Sequence, residues 1–317
     1  MPARRLISTV VLIALFTVAC SNIGSGGTLT PRSPDTGTIP PGSPEQSVEP
    51  SSEPSLEQPT PGPSETPPAT EAPTAAPTSE PSGGTSVKIY LFMDGKLVPV
   101  RRAIEATRAV GRAALNALFE GPTAEEAAAD PPLTTDIPDG TILLGLDIAD
   151  GVATVDLSRE FESGGDAASV SRRLAQVVYT LTQFPTVNRV AFLLDGKPTT
   201  AGDRQGTVTR EDFEEHLPSV FVERPTWGAT LEDPVRVSGI ANVFEAVFFV
   251  QVRDEDGRSL AKERVTASCG TGCWGSFDVS IPYDFSGGQS GSLVTYNLSA
   301  KDGSIEDLRS YPVTLVP

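Results

Sequence analysis

Asp150-Gly151-Val152-Ala153-Thr154-Val155-Asp156-Leu157-Ser158 is the stretch from which the fold is read. Asp150-Gly151 supplies two residues that tolerate positive φ, as a two-residue hairpin turn demands. Beyond the turn, Ala153, Val155 and Leu157 recur with period two and share one face of a strand. Upstream, Ile142, Leu144, Leu146 and Ile148 have the same period, so an antiparallel hairpin with those four on its core face is expected. Downstream, Val170, Leu174, Val177, Val178 and Leu181 form one apolar stripe, which predicts a helix over Asp166–Gln183 that Phe184-Pro185 ends. Val190, Phe192 and Leu194 then read as a further strand.

The same grammar precedes the hairpin. Val87, Ile89, Leu91 and Met93 alternate with Lys88, Tyr90 and Phe92, and Asp94-Gly95 turns the chain into Leu97–Val100. Val110, Ala114, Leu115 and Leu118 recur at helical spacing between Arg108 and Glu120, before the stop Gly121-Pro122. Thr123-Ala124-Glu125-Glu126 has capping-box spacing for a short second helix. The order is ββαββαβ, an α+β fold with helices against one sheet. Four motifs within it, Leu115–Thr123, Ile137–Thr141, Asp150–Ser158 and Arg189–Gly196, resemble the GerMN module of sporulation and spore-germination lipoproteins, with residues 87–202 as the domain.

A connector, 203–231, holds His216 and Trp227, and after it the pattern turns to strands alone. Phe244, Ala246, Phe248, Val250 and Val252 alternate along one strand, whose other face, with Val247 and Phe249, is apolar enough for a central position. Further runs at Val265–Cys269, Phe277–Ile281, Val294–Ala300 and Tyr311–Val316, with turns at Asp256-Gly257 and Asp302-Gly303, predict an all-β sandwich of about seven strands. Pro234–Gly239, Phe244-Glu245-Ala246, Asp256-Gly257 and Gly275-Ser276-Phe277 resemble the Gmad2 module, an immunoglobulin-like domain often placed after GerMN, here over residues 232–317.

The start of the chain is different in kind. Arg4 and Arg5 precede an apolar run, Leu6–Ala19, that is short for a bilayer span and reads as a signal peptide over residues 1–19. Thr17-Val18-Ala19-Cys20 resembles a bacterial lipobox, which implies lipidation of Cys20 and an extracytoplasmic protein anchored to the outer face of the cell membrane. Between Ser21 and Ser86 lie 15 of the 29 prolines, eight acids, one base and no aromatic residue. Such a stretch cannot bury enough apolar surface to offset its ordering entropy, so residues 20–86 are expected to be a disordered stalk.

The whole chain has net charge −17 and a single histidine. Acidity on that scale disfavours nucleic acid and anionic lipid as electrostatic partners. A lone His216 excludes imidazole-based metal centres, and no GxSxG accompanies it, so it is expected at the surface with no catalytic role. Gly270-Thr271-Gly272-Cys273-Trp274-Gly275 formally matches GxGxxG but has no helix after it to hold a pyrophosphate, so no cofactor is expected. With Cys20 taken by lipid, Cys269 and Cys273 are the pair left for a disulfide in an oxidising compartment. The acidic groups Asp254-Glu255-Asp256 and Glu211-Asp212 with Glu214-Glu215 lack the alternating pattern of a calcium loop.

The expected function is non-enzymatic: a lipoprotein of the envelope, similar to sporulation and germination GerMN proteins. It would work by binding envelope proteins or by self-association, with no small-molecule substrate. The reading from another class is a cell-wall hydrolase or a glycan-binding lipoprotein. A hydrolase would call for metal ligands or a Cys with His, and a glycan cleft for exposed aromatics, which are scarce at 6% of the chain.

Overall fold

The computed structural model describes residues 84–199, 206–285 and 287–316. β1 (Thr85–Met93) and β2 (Lys96–Ile104) make the first hairpin, with Asp94 and Gly95 both at positive φ in its turn. Every residue from Ile89 to Met93 is buried, which a strand achieves only when both faces are covered. α1 (Val110–Phe119) ends ahead of Gly121, at φ +73. α2 (Ala124–Ala127) is opened by the expected capping box: Thr123 Oγ1 accepts from Glu126 N, and Glu126 Oε2 accepts from Thr123 N. β3 (Leu133–Thr134) then adds to β1.

β4 (Leu143–Ala149) and β5 (Val152–Leu157) form the second hairpin. α3 (Ala167–Leu181), N-capped by Asp166 through Ser169 N, carries the chain to β6 (Arg189–Leu194), which lies parallel to β5. β7 (Lys197–Pro198) and β8 (Thr207–Val208) both pair with β6.

The expectation of one sheet is corrected, because the strands make two, ordered β2-β1-β3 and β4-β5-β6-β7. α1 touches β1, β2 and β4, and α3 touches β1 and β6, so the helices lie between the sheets. The doubly apolar β1 is what makes this arrangement favourable, since a strand open to solvent on one face would leave half of its buried side chains wet.

The expected core face of β4 is corrected on one side of its bulge. Ile142 and Leu144 are 59% and 49% exposed, while Leu143 is buried opposite Leu157; beyond the bulge Leu146 packs against the core as expected, and Ile148, beside it near Gly111, keeps 41% of its exposure. A bulge between Leu143 and Gly145 inserts one residue, and the period-two rule then exchanges the faces on its two sides. We therefore expect Leu143→Ala to cost about 2–3 kcal/mol and Leu144→Ala under about 0.5 kcal/mol. Urea unfolding of the two variants checks this, and equal costs would remove the bulge from the account.

The remaining strands are β9 (Val220–Arg224), β10 (Thr230–Leu231), β11 (Val235–Ala241), β12 (Val247–Asp254), β13 (Ser259–Thr266), β14 (Gly275–Ile281), β15 (Gln289–Leu298) and β16 (Ile305–Leu315). They make a sandwich of two sheets, β14-β11-β9 and β10-β16-β15-β12-β13. β9 and β11 approach so closely at their bulge that a Cβ on Gly239 would sit 2.0 Å from Phe221 O. The strand expected from Phe244 begins at Val247, because residues 244–246 form a short 3-10 turn with Glu245 and Ala246 at φ +54 and +59. Val243 O there accepts from Ala246 N and from Thr271 N, so the loop beyond β13 takes the backbone bonds a ladder would have used.

The segment expected as a connector is built into the fold. β8 completes the β4-β5-β6-β7 sheet, the 3-10 run Arg210–His216 packs on α3, and β9 is a full strand of the sandwich. Trp227 N donates to Pro99 O and Gly228 N to Pro312 O, tying the same segment to β2 and to β16. The described residues between 84 and 316 accordingly fall in one compact unit, and one continuous apolar core runs through the helical and the all-β parts.

Candidate functional site

Where the two parts meet, far-apart residues form a buried polar cluster. Lys88 and Tyr90 come from β1, Tyr179 from α3, Arg210 from the 3-10 run and Glu223 from β9. Glu223 is paired with Lys88, accepts from Arg210 Nη1 at 2.5 Å, and accepts from the Tyr90 hydroxyl at 2.7 Å. Arg210 also donates to Thr182 Oγ1 at 2.6 Å and to Tyr179 O at 3.2 Å, with its guanidinium 4.6 Å from the centre of the Tyr179 ring. Phe221 closes the cluster from the sandwich side, its ring 6.3 Å from that of Tyr90 and 5.8 Å from that of Tyr179.

The electrostatics follow from burial. Desolvation pushes Tyr90 well above the ordinary phenol range, and the nearby Glu223 carboxylate adds to the rise, so Tyr90 stays a neutral donor. Burial also works to raise the Glu223 carboxyl, but Arg210 and Lys88 outweigh it and hold the group below the ordinary range. The arrangement is a satisfied structural network. It offers no open position for a reacting atom, and its acid and its base neutralise one another.

Above this junction lies a groove of about 660 Å³, bordered by the Lys96 end of the first hairpin and by the loops of the sandwich. Phe244, 49% exposed, and Trp274 line it with Asn242, Ser299, Lys301, Glu306 and Asp307. Seven non-glycine residues among those described have positive φ. Three of these, Asp94, Asp150 and Asp195, each precede a glycine in a hairpin turn. Of the other four, Asp307 lines this groove, Ala246 N and Thr271 N both donate to Val243 O of its lining, and Glu245 N donates to Thr271 Oγ1 one step further out. Strain of this kind persists only where the surroundings over-determine it, and such places are enriched in binding sites.

The residues singled out from the sequence fall in different places. Cys20 lies outside the described residues, as do the signal peptide and nearly all of the stalk. Cys269 and Cys273 are brought side by side, with Cα atoms 6.1 Å apart, in the loop that leads to Trp274. Gly270 leaves room there for the backbone of Ala246, whose N would lie 2.4 Å from an added Cβ. The GxGxxG match is thus a loop between β13 and β14, with no helix after it. His216 is corrected from a surface position. Its side chain is only 12% exposed, its ring sits by Phe92 and Phe213, and Nε2 lies 2.9 Å from Ser171 Oγ.

The acidic clusters have local work: Asp254 Oδ1 accepts from Arg258 N in its turn, and Asp212 Oδ2 accepts from Thr209 N. Among the described residues no group of three His, Cys, Asp or Glu could hold a metal ion, and no helix is long and apolar enough to cross a membrane. Sequence reasoning missed Arg210, Glu223 and the groove altogether. Lys88 and Glu223 are 135 residues apart, and no spacing rule reaches that far.

Comparison with known proteins agrees with the fold. Residues 84–200 match the Germane family model, described as "Sporulation and spore germination", and residues 219–304 match Gmad2, "Immunoglobulin-like domain of bacterial spore germination". The Gmad2 match begins beside β9, ahead of the boundary expected at residue 232. No curated protein matches. Among solved structures, the first GerMN domain of the sporulation protein GerM from Bacillus subtilis is 20% identical, covering 40% of this chain and 98% of that one, at TM-score 0.33. The tandem GerMN domains of the same protein are 16% identical, covering 74% of this chain and 61% of that one, at TM-score 0.37. The chain therefore carries a GerMN-type domain followed by a Gmad2 immunoglobulin-like domain.

Proposed function

We propose that this protein is a non-enzymatic lipoprotein, held to the outer face of the cell membrane through Cys20, whose two domains act as one rigid body that binds envelope proteins or further copies of itself. The observation that carries the binding reading is β4. It is the edge of its sheet, and it presents Ile142, Leu144 and Ile148 to solvent on and beside that edge. Exposed aliphatics on an open strand edge are costly to keep unless something covers them. The family descriptions support an assembly of the sporulation or germination kind as the setting, and tethering would raise the local concentration of the body so that weak contacts suffice.

Crosslinking in living cells tests this, with Cys20→Ala and Leu144→Asp beside the natural protein. The natural protein should capture an envelope protein or itself, Leu144→Asp should lose most of that capture, and Cys20→Ala should leave the membrane fraction. Unchanged capture by Leu144→Asp would take β4 out of the proposal, and a Cys20→Ala protein still bound to membrane would remove the lipid anchor.

The Cys269–Cys273 bond in the exported protein belongs to the same proposal. A closed loop of about five residues lies at the low end of disulfide stabilisation, so replacing both by Ser should cost about 2 kcal/mol or less. Peptide mapping without reduction should find the two joined, and two free thiols would refute the bond.

A further inference from the structure

The outer face of the five-stranded sheet differs in composition from the rest of the chain, and strand register settles which side chains stand on it. Phe248, Val250 and Val252 turn into the core at 0% exposure, so Phe249 and Gln251 face outward. With them stand the residues directly opposite, Tyr296 on β15 and Arg264 and Lys262 on β13. The rings of Phe249 and Tyr296 stack with centres 5.2 Å apart, and Lys262 Nζ lies 4.8 Å and 5.7 Å from those centres. Two residues beyond Tyr296, Leu298 opposes Ile305 on the same face, and they are 39% and 56% exposed. Leu308 is 47% exposed beside them, next to Arg309, which opposes the fully buried Thr295 on the core side.

No carboxylate of these strands shares the face. Glu263 opposes the core residue Val250, Glu306 opposes Asn297, Asp307 bonds Ser219, and Asp254 is buried opposite Gly291. Glu255 and Asp256 lie in the turn at the other end of β12, and the hairpin tip beyond Leu298 carries one charge of each sign, Lys301 and Asp302. Lys262 and Arg264 are exposed and make no ion pair among the described residues. In a chain of 41 acids and 24 bases, this face thus sets two cations beside three exposed aliphatics with nothing to balance them. A bilayer is the less suitable occupant. The aliphatics stand on strands and the tip past them, residues 299–304, is polar, so none can be buried among acyl chains, and the net charge of −17 opposes approach to anionic lipid.

We propose that this face docks an acidic protein segment whose aliphatic side chains lie beside its carboxylates. The aliphatics would cover Leu298, Ile305 and Leu308, and the carboxylates would pair with Lys262 and Arg264. Lys262 is already held over two rings, so pairing immobilises it at reduced entropic cost. The inference goes beyond protein binding through β4, which lies in the other domain. Its failure would leave that reading standing.

The test is titration of the purified full chain with a synthetic amphipathic peptide that carries a Leu stripe flanked by Glu, with a counterpart bearing Gln for each Glu, and with phosphatidylglycerol vesicles. Binding is followed by the methyl NMR signals of Leu298 and Ile305. The acidic peptide should move both signals and bind about tenfold more tightly than its Gln counterpart, the factor expected of two exposed charge contacts. Lys262→Glu together with Arg264→Glu should abolish that preference. Ile305→Ser should weaken both peptides about fivefold, through lost apolar burial. All three side chains are exposed, so melting temperatures should stay close to that of the natural protein. The proposal is overturned if neither peptide moves these signals in the millimolar range, if the two peptides bind equally, or if only the vesicles bind. It is equally overturned if the occupant proves to be a second copy, seen as self-assembly in sedimentation that the double substitution reverses.

Discussion

Phe221→Ala should lower the unfolding free energy by about 3–5 kcal/mol, the usual cost of truncating a fully buried phenylalanine. The physical content lies in where that loss is felt. Phe221 belongs to β9, a strand of the sandwich, yet its ring packs on Tyr90 of β1 and Tyr179 of α3. Removing it opens a cavity that both domains line, so neither can relax into it without disturbing the other. Unfolding followed in parallel by a probe in each domain, Trp274 fluorescence for the sandwich and exchange of the α3 amides for the helical part, should give coincident transitions in the natural protein. In the variant both should shift together. A variant in which only the sandwich signal moves would mean that the two domains fold independently and merely touch.

Glu223→Gln should be the second large effect. The substitution keeps the shape of the side chain but removes the negative charge that faces Arg210 and Lys88, and breaking a buried pair from one side typically costs about 3–5 kcal/mol. The three side chains keep 19% to 31% of their accessibility, so solvent softens the loss to about 2–3 kcal/mol. The dependence on pH identifies the cause. The folded pKa of Glu223 lies below its unfolded value, so the carboxylate contributes fully above the unfolded value near about 4.3. That contribution drains as pH falls through the folded value, where protonated Glu223 resembles Gln. Urea unfolding of both proteins between neutral and acidic pH should show two stabilities that are well apart at neutrality and converge in acid. A gap of constant size down to the lowest pH would assign the effect to shape and not to charge.

These two substitutions also mark where sequence reading ends. Local order was legible because its causes are local. Asp94-Gly95 and Asp150-Gly151 take the positive φ that their turns need, Thr123 and Glu126 cap α2 from three residues apart, and the stripe on α3 has the helical period. The two domain types could be read from motifs of the same short range, and the acidity and single histidine set the broad chemical class. A bulge defeats such reading because one inserted residue reverses the face of every position beyond it, which is why Leu143 and not Leu144 faces Leu157.

The chain by itself thus determined the main hairpins and helices, their order, and that they make a helical α+β part followed by a sandwich. Tertiary structure alone decided that the helices lie between two sheets, that residues 206–231 are built into the fold, and that Lys88, Tyr90, Arg210 and Glu223 meet. It likewise brought Lys96, from the first hairpin, to the same groove as Phe244 and Lys301. The reason is one of range. Periodicity and capping act over a few residues, whereas burial of a doubly apolar strand and neutralisation of a buried carboxylate are satisfied by whichever groups folding brings near, however far apart they lie along the chain.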